Sequence, residues 1–193
     1  MAYTKSTLAT LKQNLADRHD GGTLPTDSAT LSYWIRLFNK GVQYCADALQ
    51  LKKLTSLTTV LGVIALPDDF KSINAVFSGA EELTQVSPDD ASSQVGFVYW
   101  ITGDHDTGFT LNATADQAFT VKYAYFPADM AVDADECIIP DPEAVVAYAY
   151  SMIRRAETDP IGDAQESMDE CKNRIKSMKS DYDNNNSNQE MTM

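Results

Sequence analysis

At 193 residues, with 15 bases, 28 acids and a net charge of −13, the chain is 44% hydrophobic and 22% charged, an ordinary globular composition long enough to bury a core without staples. It excludes a helical membrane protein, since no run approaches the ~18 apolar residues of a span, and a disulfide or zinc framework, since Cys45, Cys137 and Cys171 are odd in number and far apart. The opening residues MAYTKSTLATLKQNL hold no apolar run of signal-peptide type, so export by that route is not expected, and the cysteines read as small buried residues in a reducing compartment.

The first stretch, residues 1–50, reads as two helices. Leu8, Leu11 and Leu15 recur at helical spacing behind a cap at Ser6 or Thr4, and Asp20-Gly21-Gly22 ends the run. After Leu24-Pro25, the caps offered by Thr26-Asp27-Ser28 open a longer helix with the stripe Leu31, Trp34, Ile35, Phe38, Val42, Cys45 and Leu49. Gly41 inside it weakens a helix by ~1 kcal/mol relative to Ala, a sign of close packing at that turn.

From 51 to 139 the period changes to two. Residues 55–60 and 62–66 are rich in β-branched side chains, Ile73, Ala75 and Phe77 alternate with their neighbours, and so do Phe97, Tyr99 and Ile101. Phe109-Thr110-Leu111 resumes after the loop 103–108, and Phe119, Val121, Tyr123 and Tyr125 alternate most clearly. About six short strands in this span predict an antiparallel sheet or a small sandwich, with one helical turn after Ser87-Pro88.

Helical spacing returns at Pro140-Asp141-Pro142. Pro142 suits a first turn, Glu143 suits its positive end, and Val145, Tyr148, Ala149 and Met152 form a stripe. Beyond Asp159-Pro160, Ile161, Ala164, Met168, Cys171, Ile175, Met178 and Tyr182 lie alternately three and four residues apart, the seam of a heptad helix. Acids lead it and bases close it, as the helix dipole favours, and Glu170 and Arg174 make an i, i+4 pair. Residues 183–193 are Asn-rich and nearly devoid of apolar side chains, a composition expected to form a flexible tail.

No nucleophile elbow, P-loop, dinucleotide fingerprint or paired-histidine zinc motif occurs, and two histidines give a catalytic triad little to work with. Asp104-His105-Asp106 with Gly108 has the look of a ligand loop but lacks the longer series ending in Glu of an EF-hand, and an exposed hairpin loop is the simpler account. His19 sits where a cation suits a helix end. The aromatic strands (Phe97, Tyr99, Trp100, Tyr123, Tyr125, Phe126) form either a core or a carbohydrate platform. Neither cofactor nor metal is expected. Residues 59–150 hold two bases, Lys71 and Lys122, against fifteen acids, while the two ends cancel; the middle segment therefore repels nucleic acid.

Taken in order, these pieces resemble the head-to-tail adaptor (connector, head-completion or tail-tubular) proteins of tailed bacteriophages. The resemblance is carried by the N-terminal helix pair with Trp34 and Phe38 and the Gly62-to-Pro67 strand running into Leu66-Pro67-Asp68-Asp69-Phe70. It continues through Tyr99-x-Ile101-x-Gly103, Val121-x-Tyr123 with Phe126-Pro127, and Ile139-Pro140-Asp141 before the last two helices. It implies an α+β fold in which N- and C-terminal helix pairs (1–50 and 140–182) form a four-helix bundle around an inserted antiparallel β subdomain (51–139). It implies a ring, usually dodecameric, that sits in the virion neck after synthesis in the host cytoplasm. The ring would bind the portal protein and a tail or nozzle protein, with DNA passing through its channel unbound, and no membrane is involved. The portal contact would fall on Ile175, Met178, Tyr182, Asp183, Asn184 and Asn185, with the β subdomain toward the tail. The alternatives are another neck or tail protein, such as a stopper or terminator, and a cellular glycan-binding module.

Overall fold

The computed structural model describes residues 6–19, 21–93, 96–114, 118–157 and 162–190, with Ser92 and residues 182–190 described by backbone only. The fold is α+β: four helices, two from each end of the chain, pack together, and two β-sheets are inserted between the pairs. The chain divides into a helical unit, Met1–Leu49 with Pro127–Met193, and a β unit, Gln50–Phe126.

In the helical unit, α1 (Leu8–His19) buries Leu8, Leu11, Leu15 and Ala16 completely. Its cap is Thr7, one residue after the expected Ser6, with Thr7 Oγ1 accepting from the Thr10 amide at 3.4 Å; Thr4 lies outside the described residues. Two further amides of the first turn, Leu8 and Ala9, donate to the carbonyls of Asp135 and Asp133 at 2.8 and 3.1 Å, so a distant strand-like segment completes the helix end. Gly21 (φ 62°) and Gly22 (φ 93°) take left-handed conformations after α1, and the Gly22 amide donates back to the Ala16 carbonyl.

Asp27 caps α2 (Ser28–Leu49), its Oδ1 accepting from the Thr30 amide at 2.7 Å, and that bond holds the Asp27 carboxyl below its usual range. The buried face of α2 is Trp34, Leu37, Phe38, Gly41, Val42, Cys45 and Ala46, while Leu31, Ile35 and Leu49 are only half-buried. A Cβ at Gly41 would stand 3.1 Å from Tyr148 Cδ1 and 3.2 Å from Val145 Cγ1, so the missing side chain lets α2 close on α3 (Glu143–Ala156).

α3 is the central helix and packs on α1, α2 and α4 (Gly162–Glu190). Four consecutive residues, Ala144 to Ala147, are fully buried, which a one-sided stripe does not allow and a surrounded helix does. α4 presents Ala164, Ser167, Met168, Cys171, Ile175 and Met178 inward, matching the heptad seam; Ile161 lies outside the described residues. Cys45, Cys137 and Cys171 are buried free thiols. A hydrogen bond with Cys171 and burial push the Cys45 thiol far up, so it stays neutral.

Two expectations need correction here. Residues 127–139, grouped above with the β subdomain, lie with the helices: Cys137 donates to the Ser6 carbonyl at 2.7 Å, Lys12 pairs with Asp133 at 2.6 Å, and the Asn39 amide clamps both backbone groups of Met130. The stretch 183–190 is helical rather than an irregular tail, because α4 runs on to Glu190. A helix nucleated by its packed seam propagates through Asp, Asn and Ser at a few tenths of a kcal/mol each, about the spread of ordinary propensities.

In the β unit, β1 (Lys52–Thr58), β3 (Phe70–Ser78), β4 (Glu81–Glu82) and β8 (Ala118–Tyr125) form one antiparallel sheet in the order β1-β8-β3-β4. β2 (Val63–Ala65), β5 (Thr84–Gln85), β6 (Val98–Asp104) and β7 (Gly108–Ala113) form the second, in the order β2-β7-β6-β5. The expected antiparallel pairing has one exception, since β5 runs parallel to β6. Phe70, Val76, Tyr99, Leu111, Phe119, Val121 and Tyr123 are drawn from both sheets into one buried core. The expected helical turn after Ser87-Pro88 is a short 3-10 helix at Ala91–Ser93.

Candidate interaction surfaces

The length of α4 exceeds what the bundle needs. α3 runs back along it, and the start of α3 is level with Met178, whose Sδ accepts from the Asp141 amide at 3.3 Å. From Lys179 to Glu190 the helix therefore continues for about three turns, ~18 Å, past the beginning of its neighbour. Of the residues expected to meet a portal, Ile175 and Met178 are only 7% and 6% exposed. They belong to the subunit's own core, and periodicity alone could not say so. Tyr182, Asp183, Asn184 and Asn185 lie on the continuing part of the helix, known here by backbone.

An ionic chain runs across the helical unit. Arg18 of α1 binds Glu170 at 2.7 Å, Glu170 binds Arg174 at 2.9 Å, and Arg174 reaches Asp141 before α3 at 2.9 Å. The sequence shows the middle pair, whereas Arg18 and Asp141 leave no local signal because folding alone brings them there. Along it lies an open groove of about 780 Å³ lined by Asp141, Glu166, Asp169, Glu170 and Arg174 among others, predominantly acidic and so repellent to phosphate. His19 ends α1, with Nε2 2.9 Å from Glu157 and its ring edge-on to Trp34 and Tyr150, a fastening between helices. Arg154, followed by Arg155 in the last turn of α3, pairs with Glu157 and Asp163.

The β unit accounts for its suspicious residues structurally. Asp104 Oδ1 accepts from the amides of Asp106 and Thr107 and from the Thr107 hydroxyl, which ties the β6–β7 turn and lowers the Asp104 pKa. His105 rests edge-on against Phe109 and Phe126. Tyr99 and Tyr123 are each 3% exposed and line the core, whereas Phe97 is 55% exposed and Trp100, Tyr125 and Phe126 are half-buried. Sequence reading did not foresee the job of Asp69. In Leu66-Pro67-Asp68-Asp69-Phe70 its carboxylate accepts from the Tyr123 hydroxyl at 3.0 Å and pairs with Lys53, and its carbonyl accepts from the Phe126 amide. Burial and that hydrogen bond push Tyr123 up to about 12. One aspartate thereby ties the Leu-Pro-Asp-Asp-Phe turn to β1 and to the exit of β8.

A family model for the SU10 adaptor protein matches residues 6–191, nearly the whole chain. The chain belongs to that family. It is a phage head-to-tail adaptor, a structural role that involves binding other head and tail components. No curated protein shows significant similarity to it.

The charge of the adaptor is distributed differently in space than along the chain. The β unit holds four lysines against nine acids, a net −5, which leaves −8 on the helical unit. Six of the fifteen acids between 59 and 150 (Asp129, Asp133, Asp135, Glu136, Asp141, Glu143) travel with segment 127–143 onto the helices. Both units of the adaptor are thus acidic.

Glu170 gives the adaptor a measurable acid response. Burial raises its pKa, but the hydrogen bond from Arg174 and the charge of Arg18 outweigh that and hold it below the ordinary glutamate value of 4.5. A carboxylate depressed in the folded state stabilises the protein above its unfolded pKa, and the gain disappears as pH falls through the lower folded value. Glu170→Gln is therefore expected to be less stable at neutral pH yet to lose less on acidification, read as urea midpoints compared between pH 7 and about pH 3. Parallel acid losses in variant and wild type would show that Glu170 is not held this way.

Proposed function

We propose that this adaptor closes into a ring, dodecameric as the family resemblance implies, between the portal vertex and the tail, and that it continues the DNA channel. The end of α4 from Tyr182 onward docks on the portal, and the β unit faces the tail-side protein. The observation that carries the reading is the α4 overhang: about three turns of helix without α3 alongside suit insertion into a groove of another protein. With Ile175 and Met178 committed to the core, the docking role falls on the residues after them. The acidity of both units supports the channel reading, since a wall that DNA slides along must not hold phosphate.

The test is truncation after Tyr182, followed by mass photometry and negative-stain imaging with purified cognate portal. The truncated chain is expected to lose only the helical signal of residues 183–190 and to keep its melting temperature, while its affinity for the portal falls by tenfold or more, about 1.4 kcal/mol. Undiminished docking would remove the end of α4 from the interface, and absence of any ring on the portal would overturn the reading as a whole.

A further inference from the structure

Among the described residues, β1 and β4, the edges of the first sheet, each have a hydrogen-bonded neighbour on one side only. Side chains alternate along a strand, and Leu54 stands opposite Lys122 in the β1–β8 register, so Lys52, Leu54 and Lys122 share the outer face, away from the buried Phe119, Val121 and Tyr123. Leu54 is 68% exposed, and both lysines are exposed. The other two lysines of the unit are engaged, Lys53 by Asp69 and the Tyr125 ring and Lys71 by the Phe126 ring. Lys52 and Lys122 pair with no acid among the described residues. At the far edge the two residues of β4 are Glu81 and Glu82, both exposed and likewise without a base among the described residues; Glu82, opposite Phe77 and in line with Thr120, shares the outer face with Lys122, while Glu81 turns to the other face. On a chain of net charge −13, Lys52 on the edge strand and Lys122 one strand in, both beside the exposed Leu54, are complementary in charge to the glutamates of the other edge.

We propose that these two edges bind one another between copies of this chain, Lys52 and Leu54 on β1, with Lys122 behind them on β8, meeting Glu82 on the same face of β4 in the next subunit, while Glu81 adds to the negative charge of that edge. The idea rests on the ring reading above and specifies its contact. Charge decides the orientation. Two β1 edges together would face lysine with lysine, two β4 edges would gather four glutamates, and only the head-to-tail arrangement pairs opposite signs. A contact of two different faces repeats in one sense around an axis, as a closed ring requires, and cannot stop at a two-fold dimer. The lysines also guard the edge against indiscriminate strand pairing.

The test reverses each edge in the full-length chain: Lys52→Glu with Lys122→Glu, Glu81→Lys with Glu82→Lys, and all four together. These positions are exposed, so the variants should keep the wild-type circular dichroism. Self-association is measured by sedimentation of the free chain over rising concentration and by subunit occupancy on the portal. Either reversal alone is expected to weaken association by about tenfold, and the fourfold variant, with its charges exchanged, to recover most of the loss, the wild-type contact weakening with salt. Single-edge variants that assemble like wild type, a fourfold variant no better than its parents, or a wild type without self-contact in either setting would overturn the proposal. Variants that ring normally on the portal would sink the edge contact while leaving the adaptor reading intact.

Discussion

Ile175→Asp is expected to unfold the helical unit at neutral pH rather than to weaken a surface contact. Truncating a buried isoleucine costs about 2–5 kcal/mol, and Ile175 is 7% exposed in the seam that α4 turns inward. The aspartate adds the cost of a carboxylate in an apolar site, which it can reduce by taking up a proton. Its folded pKa then lies above the unfolded value, so the extra destabilisation is small below about pH 4 and grows as pH rises. Urea titrations followed by far-UV circular dichroism should show the midpoint collapsing at pH 7 and partly recovering in acid. A variant that melts like wild type and loses only portal binding would return Ile175 to the docking surface.

That experiment falls where the sequence was most readable and most easily misread. The alternating spacing from Ala164 to Met178 states that one face of α4 is covered, and the structure agrees. Spacing carries no information about what covers it, so the same seam fits α3 of its own subunit or a helix of a partner. α3 poses the opposite problem: a helix enclosed on several sides has no polar stripe to contrast with, and Val145, Tyr148, Ala149 and Met152 understate its burial. The end of α4 was obscured by composition, since a run of Asp, Asn and Ser looks unstructured when judged apart from the helix that feeds it.

In the β unit the long strands with alternating Phe119, Val121 and Tyr123 were legible because one face is buried and the other is not. β4 and β5 were not, since two residues hold no period, and the parallel β5–β6 pair depends on the path of the chain between them. Segment 127–139 has no period either, and only its hydrogen bonds to the start of α1 and to Asn39 place it. The family resemblance supplied the adaptor role; the complementary sheet edges needed the β1–β8 register, because Leu54 and Lys122 are neighbours only once the strands are paired.

The core of the β unit leads to the second large effect. Phe119 is 1% exposed on β8, the strand that holds β1 on one side and β3 on the other, and it stands opposite Leu57 in the register. Phe119→Ala removes a ring that neighbours drawn from two sheets cannot fill without both sheets moving, a loss of about 3–5 kcal/mol. Domains of this size have total stabilities of roughly 5–10 kcal/mol, so the β unit should lose much of its margin. Each unit carries one tryptophan, Trp34 in α2 and Trp100 in β6, which lets the two be followed separately. In a Trp34→Phe background, Trp100 fluorescence should report a urea midpoint far below that of the same protein with Phe119 intact. The helical signal in the far ultraviolet should unfold later, near its original midpoint, because α1 to α4 draw on a core of their own. If both signals fall together, the two units share one cooperative transition, and the sheets are as much a condition of the bundle as the bundle is of them.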